Sequence, residues 1–400
     1  MSNVWLGHKM LRSLVFVFVF FCLTNCQIPP FVEECVDNAY PPPESHKVPT
    51  YVVNLDLPPA QRWTHVVKDR GPQIKKLLDE FKSFSSDIFN GSQAVINFID
   101  KEGPAFDQTL PQPFADEMRG IANATGLKLG EVVFFNVFYE FFTVCTSIVA
   151  RDVQGSLYHA RNLDFGLFLG WDIKNNTWSV TELLRPMVII VDFQKGGETV
   201  FKSVNFAGYI GILTAIKPKL FTLTMNERFS KDGGYIGLME WILGERSGQW
   251  MGFLTRQVME TATGYLEAKV LVTNKEMLAP AYFILGGNKT SGLYKQGCVI
   301  TRARERAIDV WDMESANGWY ILETNYDHWS TPLFLDDRRT PAHHCMGNMT
   351  QQGVSIKGLH NVLSSRPVLN KLTTYTALMQ VDSGHLEAWL QYCPEPCIPW

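Results

Sequence analysis

The stretch TVCTSIVARDVQGSLYHARNLDFG, residues 143–166, marks the point where the chain changes its pattern. SIVAR and SLYHAR flank a turn at residues 152–155 and read as the two strands of a β-hairpin. A hairpin folds the end of YHARNLD back beside the start of CTSIV. The thiol of Cys145, the guanidinium of Arg161 and the carboxylate of Asp164 are therefore expected to meet at one edge of a sheet.

The pattern differs on the two sides of Cys145. Before it, apolar residues recur at helical spacing in PQIKKLLDEFKSFSSDIF, FADEMRGIANATG and KLGEVVFFNVFYEFFTV. After it, strands are predicted at MVIIVDFQ, TVFKSVNF, GILTAI, LFTLTMNE, AYFILGG, GCVITRAR, GWYILETNY and TYTALMQV, with helices at YIGLMEWILGE and WMGFLTRQVMETA in between. This order predicts α+β layers rather than βαβ units, with one boundary near Val144.

The beginning of the chain has the pattern of a signal peptide. Lys9 and Arg12 precede an apolar run at residues 14–23, and small or polar residues follow, which predicts a leader over residues 1–26. A membrane anchor is the alternative, but a span needs about 20 apolar residues. Without Lys9 and Arg12 the chain holds 34 basic and 40 acidic residues, a formal net charge of −6, and no basic run. Nucleic acid is therefore not expected as a partner.

Sequons agree with a secretory route, although such triplets also arise by chance; they lie at Asn90, Asn123, Asn175, Asn288 and Asn348. With the leader they predict a soluble extracellular or lysosomal protein. The 400 residues are 46% hydrophobic, which is ample for a large core in one large or two ordinary domains.

The cysteines allow more than one arrangement. Three disulfides are the default for the six that follow the leader, at positions 35, 145, 298, 345, 393 and 397. However, Cys145 and Cys298 lie in apolar, strand-like segments where a buried thiol is equally natural. Cys393 and Cys397 bracket PEP and could close a small loop, which would leave Cys35 and Cys345 as a second pair.

The usual motifs of hydrolases and nucleotide-binding proteins are missing from the sequence: G-x-S-x-G, H-E-x-x-H, a phosphate-binding loop and paired C-x-x-C. The adjacent His343 and His344 could suggest a metal site. They point apart in an extended chain and have no second ligand cluster nearby, so a loop is the favoured interpretation. No metal or organic cofactor is expected.

The motif CTSIVA followed by H-x-RN-x-D resembles the cholylglycine-hydrolase family of N-terminal nucleophile hydrolases, in its branch of acid ceramidases and N-acylethanolamine acid amidases. The resemblance continues through NLDLPPAQRW, FGLFLGWDIKNNTW, TLTMNERFS, APAYFILGGN, TNYDHW, LDDRRTPA and CPEPCIPW. The FLGW segment and the cysteine-bearing tail favour the ceramidase side of this branch. The implied fold is a four-layer αββα sandwich, with residues 27–144 largely a helical cover and residues 145–400 the catalytic part.

The resemblance implies a precursor that cuts itself between Val144 and Cys145, leaving an α chain and a β chain. Cys145 would attack first the Val144 carbonyl and later the substrate amide, with its freed amine as general base. An α-amine titrates at about 7.7–8.0, and acidic conditions would demand a further lowering by neighbours such as Arg161. Asp164 would orient the amine, while Arg161 would stabilise the thiolate or the charge of an intermediate.

Three further site residues follow from the resemblance. Asn325 would donate to the oxyanion, which elsewhere is worth about 3–4 kcal/mol per donor. Glu227 and Arg338 match the remaining polar positions of the family site, without an assigned proton. Without the resemblance, Cys145 would be a structural thiol, Arg161 and Asp164 a hairpin ion pair, Asn325 a turn residue and DDRR a solvated charge run.

The resemblance implies a lysosomal and also secreted amidase that splits ceramide and related N-acyl lipids into sphingosine and a fatty acid. It would work at the lysosomal membrane surface with a saposin-type activator. A Cys35–Cys345 disulfide would join the two chains, Cys393–Cys397 would be the second bridge, and Cys298 would stay free. The rivals are an N-acylethanolamine acid amidase and a catalytically silent lipid-binding glycoprotein. VVFFNVFYEFF and FGLFLGW could line an acyl channel or a membrane patch, although a place in the core is favoured.

Overall fold

The structure, a computed structural model, describes residues 34–88, 110–138, 143–165, 170–230, 237, 240, 248–288 and 295–398. The predicted hairpin is present as β2 (Thr143–Arg151) and β3 (Leu157–Phe165). In the antiparallel ladder Cys145 lies opposite Leu163, and Val144 lies opposite Asp164. The two ends of the hairpin that carry chemistry are therefore adjacent, as the sequence predicts.

Two sheets form the centre of the fold. The hairpin pairs with β13 (Tyr320–Glu323) on one side and with β14 (Thr373–Gln380) and β15 (His385–Leu390) on the other, giving the order β13-β2-β3-β14-β15. The remaining long strands are β1 (Thr50–Asn54), β6 (Val188–Lys195), β7 (Glu198–Phe206), β8 (Thr214–Lys217), β9 (Phe221–Glu227), β10 (Ala281–Asn288), β11 (Lys295–Arg302) and β12 (Ala307–Asp312). They form one sheet in the order β1-β6-β7-β8-β9-β10-β11-β12, and β4 (Trp171–Asp172) pairs separately with β5 (Thr177–Trp178).

The two sheets pack face to face through buried apolar side chains from both, among them Val149 and Ile321 on one sheet and Ile284 and Val299 on the other. The approach is close at Gly297, where an added Cβ would lie 2.7 Å from Val149 Cγ1. This close packing holds β2, which carries Cys145, directly against the larger sheet.

Helices cover both outer faces. The larger sheet is covered by α1 (Thr64–Ile88), α2 (Phe114–Thr125), α3 (Leu129–Phe138), α5 (Met251–Thr261) and α6 (Tyr265–Asn274). The smaller sheet is covered by α8 (Arg339–Met349) and α9 (Ile356–Ser364), while α4 (Ser179–Leu184) and α7 (Met313–Ala316) are short. The layers are therefore αββα, and the predicted fold class is confirmed.

The N-terminal part holds one strand that the sequence analysis did not predict. Beside the helices, β1 adds a parallel strand to the larger sheet, with Thr50 opposite Ile190 and Asn54 opposite Gln194. The strand is five residues long and mostly exposed, so its sequence TYVVN carries little alternation. Residues before Cys145 are thus built into a sheet as well as covering it.

The loop predicted for His343 and His344 was wrong, because both lie in α8. Asp337 accepts the backbone N–H of Thr340 at 2.9 Å and so satisfies a free donor of the first turn, while Pro341 is tolerated there. The side chain of His343 bonds the hydroxyl of Tyr320 at 2.8 Å. Among the described residues there is no cluster of His, Cys, Asp or Glu that could hold a metal ion.

Both disulfides implied by the resemblance are present, Cys35–Cys345 and Cys393–Cys397. Cys145 and Cys298 are free and buried. No helix in the described part of the chain is long and apolar enough to cross a membrane.

Several predictions concern residues outside the described ranges: the leader, the sequon at Asn90, most of YIGLMEWILGE, and residues 139–142 and 166–169 of the two aromatic-rich segments. Of the other sequon asparagines, Asn123, Asn175 and Asn348 are exposed. Asn288 is half-buried, and its side-chain nitrogen donates to the carbonyl of Lys219 at 3.2 Å. Glycosylation at all five stays a prediction.

Candidate active site

The thiol of Cys145 is buried, and the strand β2 runs without interruption through the Val144–Cys145 bond. Arg161, two positions before Leu163 in the partner strand, donates from Nη2 to Sγ. Its Nη1 is fixed by the carbonyl of Leu213 at 2.8 Å and the hydroxyl of Thr214 at 3.0 Å. Burial raises the pKa of the Cys145 thiol to about 11, and the positive charge of Arg161 opposes this rise. In the uncut chain the thiol is therefore neutral.

The backbone of Cys145 is held by two side chains from distant parts of the chain. Its N–H donates to Asn325 Oδ1 at 2.8 Å, and its carbonyl accepts from Arg338 Nη1 at 2.6 Å. Arg338 Nη2 donates to the same Asn325 oxygen at 2.9 Å. These two donors fix the orientation of the Asn325 amide, so its oxygen faces Cys145 and its nitrogen donates to the carbonyl of Glu227 at 2.7 Å.

Asp164 lies on the other side of the scissile bond, opposite Val144 in the ladder. Burial raises the pKa of its carboxyl to about 6, although the nearby Arg338 guanidinium lowers it. The ion pair that the structure records for Asp164 is with Arg338 Nη1, at 3.5 Å, rather than with Arg161. Arg161 and Asp164 therefore do not form the hairpin ion pair that the motif alone would suggest.

Glu227, at the end of β9, contributes a second carboxyl on the side of Thr143. Burial raises its pKa well above the ordinary value, while a hydrogen bond from the Thr143 backbone N–H opposes the rise. A carboxyl with this pKa stays protonated in acid. Peptide residues 143–145 thus lie between two buried carboxyl groups whose pKa values are raised.

All six predicted site residues meet around the Val144–Cys145 bond, although they come from β2, β3, β9, the segment after β13 and the start of α8. Arg338 is 1% exposed, so the interpretation of DDRR as a solvated charge run is wrong for that residue. Sequence reasoning missed Asp336, which accepts from Arg338 Nε at 2.9 Å and Nη2 at 3.2 Å. The two acids directly before two arginines in LDDRRT were the available signal.

A thiol, a guanidinium on its sulfur and two protonatable carboxyls beside one backbone amide form a site for acyl transfer. On the start of an inner strand of an αββα sandwich, this arrangement defines a cysteine hydrolase of the N-terminal nucleophile class.

The comparisons with known proteins give the family. The chain belongs to the linear amide C-N hydrolases of the choloylglycine hydrolase family, whose model matches residues 145–388. The resemblance noted in the sequence is confirmed, and the match begins at Cys145 itself. A second model, described as the beta subunit of N-acylethanolamine-hydrolyzing acid amidase, matches residues 46–110.

Similar proteins span the whole chain. The chain is 48% identical to acid ceramidase of Homo sapiens, covering 97% of this chain and 99% of that protein. It is 47% identical to acid ceramidase of Bos taurus, covering 99% of this chain and 100% of that protein. Among solved structures, the Caenorhabditis elegans N-acylethanolamine-hydrolyzing acid amidase ortholog is similar, with 31% identity, a TM-score of 0.52, and 62% of this chain and 100% of that chain covered.

Proposed function

We propose that this chain works as an acid ceramidase, hydrolysing the amide bond of ceramide to sphingosine and a fatty acid after cutting itself between Val144 and Cys145. The observation that carries the proposal is the similarity to acid ceramidases along the full length of the chain, at 47–48% identity. The site supports it, because the nucleophile is already in contact with the groups that an amidase needs.

The proposed first reaction is an acyl shift within the chain. Cys145 Sγ bonds to the carbonyl carbon of Val144, the C–N bond to Cys145 breaks, and the thiol proton is transferred to the new amine. Asp164 carries this proton, since its raised pKa of about 6 lets it both accept and release one near acidic pH. Protonated Glu227, beside Thr143, supplies a donor for charge on the Val144 oxygen. Water then hydrolyses the thioester and frees the thiol.

After cleavage, the Cys145 amine becomes the general base for its own thiol, and Arg161 stabilises the thiolate. Arg338 still donates to the Cys145 carbonyl, so the new N-terminus keeps its position in the strand. Asn325 can serve the oxyanion only if its NH₂ group leaves the Glu227 carbonyl, which it contacts in the uncut chain. Cleavage is proposed to release this contact.

In this proposal residues 1–26 are removed, residues 27–144 form the α chain and residues 145–400 form the β chain. Cys35 and Cys345 lie on different chains, so their disulfide keeps the two linked. The protein is proposed to act in the lysosome and to be secreted in part, as the leader pattern and the protonatable carboxyls of the site support.

The enzyme would bind ceramide at a membrane surface, with the help of a saposin-type activator. Exposed Trp329, Leu333 and Phe334 support this, because they lie on the segment between Asn325 and Arg338. Apolar side chains exposed on this segment suit a lipid whose chains must leave a bilayer.

A second candidate, N-acylethanolamine acid amidase, is favoured by the match at residues 46–110 and by the similar Caenorhabditis elegans structure. Turnover of N-acylsphingosine and of an N-acylethanolamine with the same acyl chain, in mixed micelles at acidic pH, separates the two. We expect higher kcat/KM for N-acylsphingosine. A large preference for the ethanolamide would reject the ceramidase proposal, and binding without fatty-acid release would favour a silent lipid-binding protein.

A further inference from the structure

A chain of hydrogen bonds crosses between the two sheets next to the site. It joins His159 Nε2 to Thr224 Oγ1 at 3.0 Å, Thr224 Oγ1 to Ser147 Oγ at 2.9 Å, and Ser147 Oγ to Asn226 Oδ1 at 3.0 Å. All four side chains have no exposed surface. We call these four residues the inter-sheet chain. Buried polar side chains so fully paired hold neighbouring elements in one arrangement.

The far end of the inter-sheet chain fixes its direction. Asn226 Nδ2 donates to the carbonyls of Glu323 at 3.2 Å and Thr324 at 2.8 Å, and only an NH₂ group can serve two carbonyls. Asn226 Oδ1 therefore faces Ser147 and accepts its hydroxyl proton. The Ser147 oxygen must then accept from the Thr224 hydroxyl, and the Thr224 oxygen must accept from His159.

The near end agrees with this direction. Burial lowers the pKa of His159 to about 3, so its ring is neutral and carries one proton. That proton lies on Nε2, which donates to Thr224, because the Thr224 hydroxyl proton goes to Ser147; Nδ1 lies 2.8 Å from the hydroxyl of Thr222, which also lies 3.1 Å from the carbonyl of Gly286. Every donor of the inter-sheet chain thus points towards Asn226.

The two groups that Asn226 joins belong to segments that carry site residues. Ser147 lies on β2, two residues after Cys145, and the carbonyls of Glu323 and Thr324 immediately precede Asn325. Asn325 in turn accepts the Cys145 N–H at 2.8 Å. Asn226 therefore contacts, from the opposite sheet, both the strand of the nucleophile and the segment of its amide partner, and adds to the β2–β13 ladder in which Glu323 lies opposite Ser147.

We propose that Asn226 is a positioning residue for the reaction, which sets Asn325 relative to Cys145 in both self-cleavage and amide hydrolysis. This inference rests on the proposed function. Removing the Asn226 amide takes its donor away from the Thr324 carbonyl and leaves the Glu323 carbonyl with only the ladder to Ser147, so the segment is expected to shift. A displacement of about 1 Å at a reacting group costs about a hundredfold in rate.

Asn162 offers a matched control. It is also fully buried, it accepts from Thr376 Oγ1 at 2.6 Å, and it donates to the carbonyls of Leu363 at 2.8 Å and Val368 at 3.1 Å. These contacts lie on the opposite face of the smaller sheet, towards α9. Asn162→Ala and Asn226→Ala therefore remove hydrogen bonds of the same number and kind, but only Asn226→Ala is expected to affect Asn325.

The test compares these two variants with the wild-type chain for melting temperature, rate of cleavage before Cys145, and kcat and KM for N-acylsphingosine on the cleaved fraction. We expect similar losses of melting temperature, but a loss of about a hundredfold in cleavage rate and kcat only in Asn226→Ala. Equal rates in the two variants would overturn the inference. A wild-type chain that neither cleaves nor hydrolyses would instead reject the proposed function.

Asn226→Asp tests positioning through the pH dependence of the rates, which a purely structural role would not change. A carboxylate repels the two carbonyls, whereas a protonated carboxyl restores one donor, so the deficit relative to wild type should shrink as the pH falls. A deficit that does not change with pH would count against positioning. If Asn226→Ala does not fold, Ser147→Ala replaces it; cleavage at the rate of Asn162→Ala would then overturn the inference.

Discussion

Cys145 differs from an ordinary buried thiol in what contacts it. Arg161 donates to its sulfur, Asn325 accepts its N–H and Arg338 donates to its carbonyl. A structural thiol needs none of these contacts, because burial in apolar surroundings is enough to stabilise it. The polar groups around one peptide unit therefore indicate chemistry at that unit.

Asp164 is expected to be needed for both proposed reactions, since the same carboxyl serves the Val144–Cys145 bond and the freed amine. Asp164→Asn should slow self-cleavage and substrate turnover by about a hundredfold each, the usual contribution of a general base. The appearance of the cut fragment and the release of fatty acid measure the two rates. Asp152→Asn, in the turn at the other end of the hairpin, is the control. Normal cleavage in Asp164→Asn would contradict the assignment.

Glu323 is expected to make the fold more stable in acid. Burial raises its pKa from 4.5 to about 8, so the folded chain holds a proton that the unfolded chain loses between these values. Its contribution to stability is complete below about pH 4.5 and is lost as the pH rises towards 8. Glu323→Gln, which keeps an acceptor for the Thr324 N–H, should narrow the difference in melting temperature between pH 5 and pH 8. An unchanged difference, equal to that of the exposed control Glu198→Gln, would show the prediction to be wrong.

The two sheets can lie close together at Gly297 because glycine has no side chain. An added Cβ at Gly297 would lie 2.7 Å from Val149 Cγ1, on the strand that carries Cys145. Gly297→Ala should therefore destabilise the fold by about 1–3 kcal/mol, the usual cost of overpacking. Denaturant unfolding measures it, and Val149→Ala in the same chain should recover part of the loss. Gly347→Ala, in α8 with open space around it, is the control; equal stability of the two glycine variants would contradict the prediction.

The sequence predicts a helix or strand well when the residues that stabilise it are close together in the chain. The hairpin and its register follow from a short turn between two strands that are neighbours in sequence, so Arg161 and Asp164 could be placed beside Cys145 directly. The helix α8 was missed because RTPAHHCMGNM has a proline near its start and few apolar residues, although Asp337, which accepts the Thr340 N–H, was a local signal. β1 was missed because its partner β6 lies well over a hundred residues further along the chain.

The same reason limits the prediction of the site. Asn325 and Arg338 are 180 and 193 residues from Cys145, so only the family resemblance could bring them to it. Asn226 gave no signal at all, since it reads as one residue in the strand TLTMNE. Its importance lies in contacts across two sheets, which no local pattern encodes.

The parts of the molecule before and after Cys145 are built into one another. β1 pairs with β6, and Glu117 of the N-terminal part forms an ion pair with Arg256 of the catalytic part at 3.2 Å, with both side chains fully buried. Trp63 Nε1, also in the N-terminal part, donates to Glu117 at 2.7 Å and holds this carboxylate in place for Arg256. Contacts of this kind should hold the two fragments together after cleavage without a covalent link.

We therefore expect the cleaved protein to stay associated when Cys35–Cys345 is reduced under native conditions. Glu117→Ala should release the fragments, since removing one partner of a buried ion pair costs about 3–5 kcal/mol. Native mass spectrometry of the reduced protein measures the association. Asp116→Ala removes an ion pair with Arg119 that is partly exposed and serves as the control. Wild-type fragments that separate on reduction would contradict this prediction.

The most direct test of the central claim is the N-terminal sequence and reduced intact mass of the purified protein after incubation at acidic pH, beside Cys145→Ala. The variant separates self-cleavage from the action of a contaminating protease. We predict a wild-type fragment that begins Cys-Thr-Ser-Ile-Val and is absent from the variant. A folded wild-type chain that remains whole, or the same cut in both proteins, would contradict the claim that Cys145 is an N-terminal nucleophile.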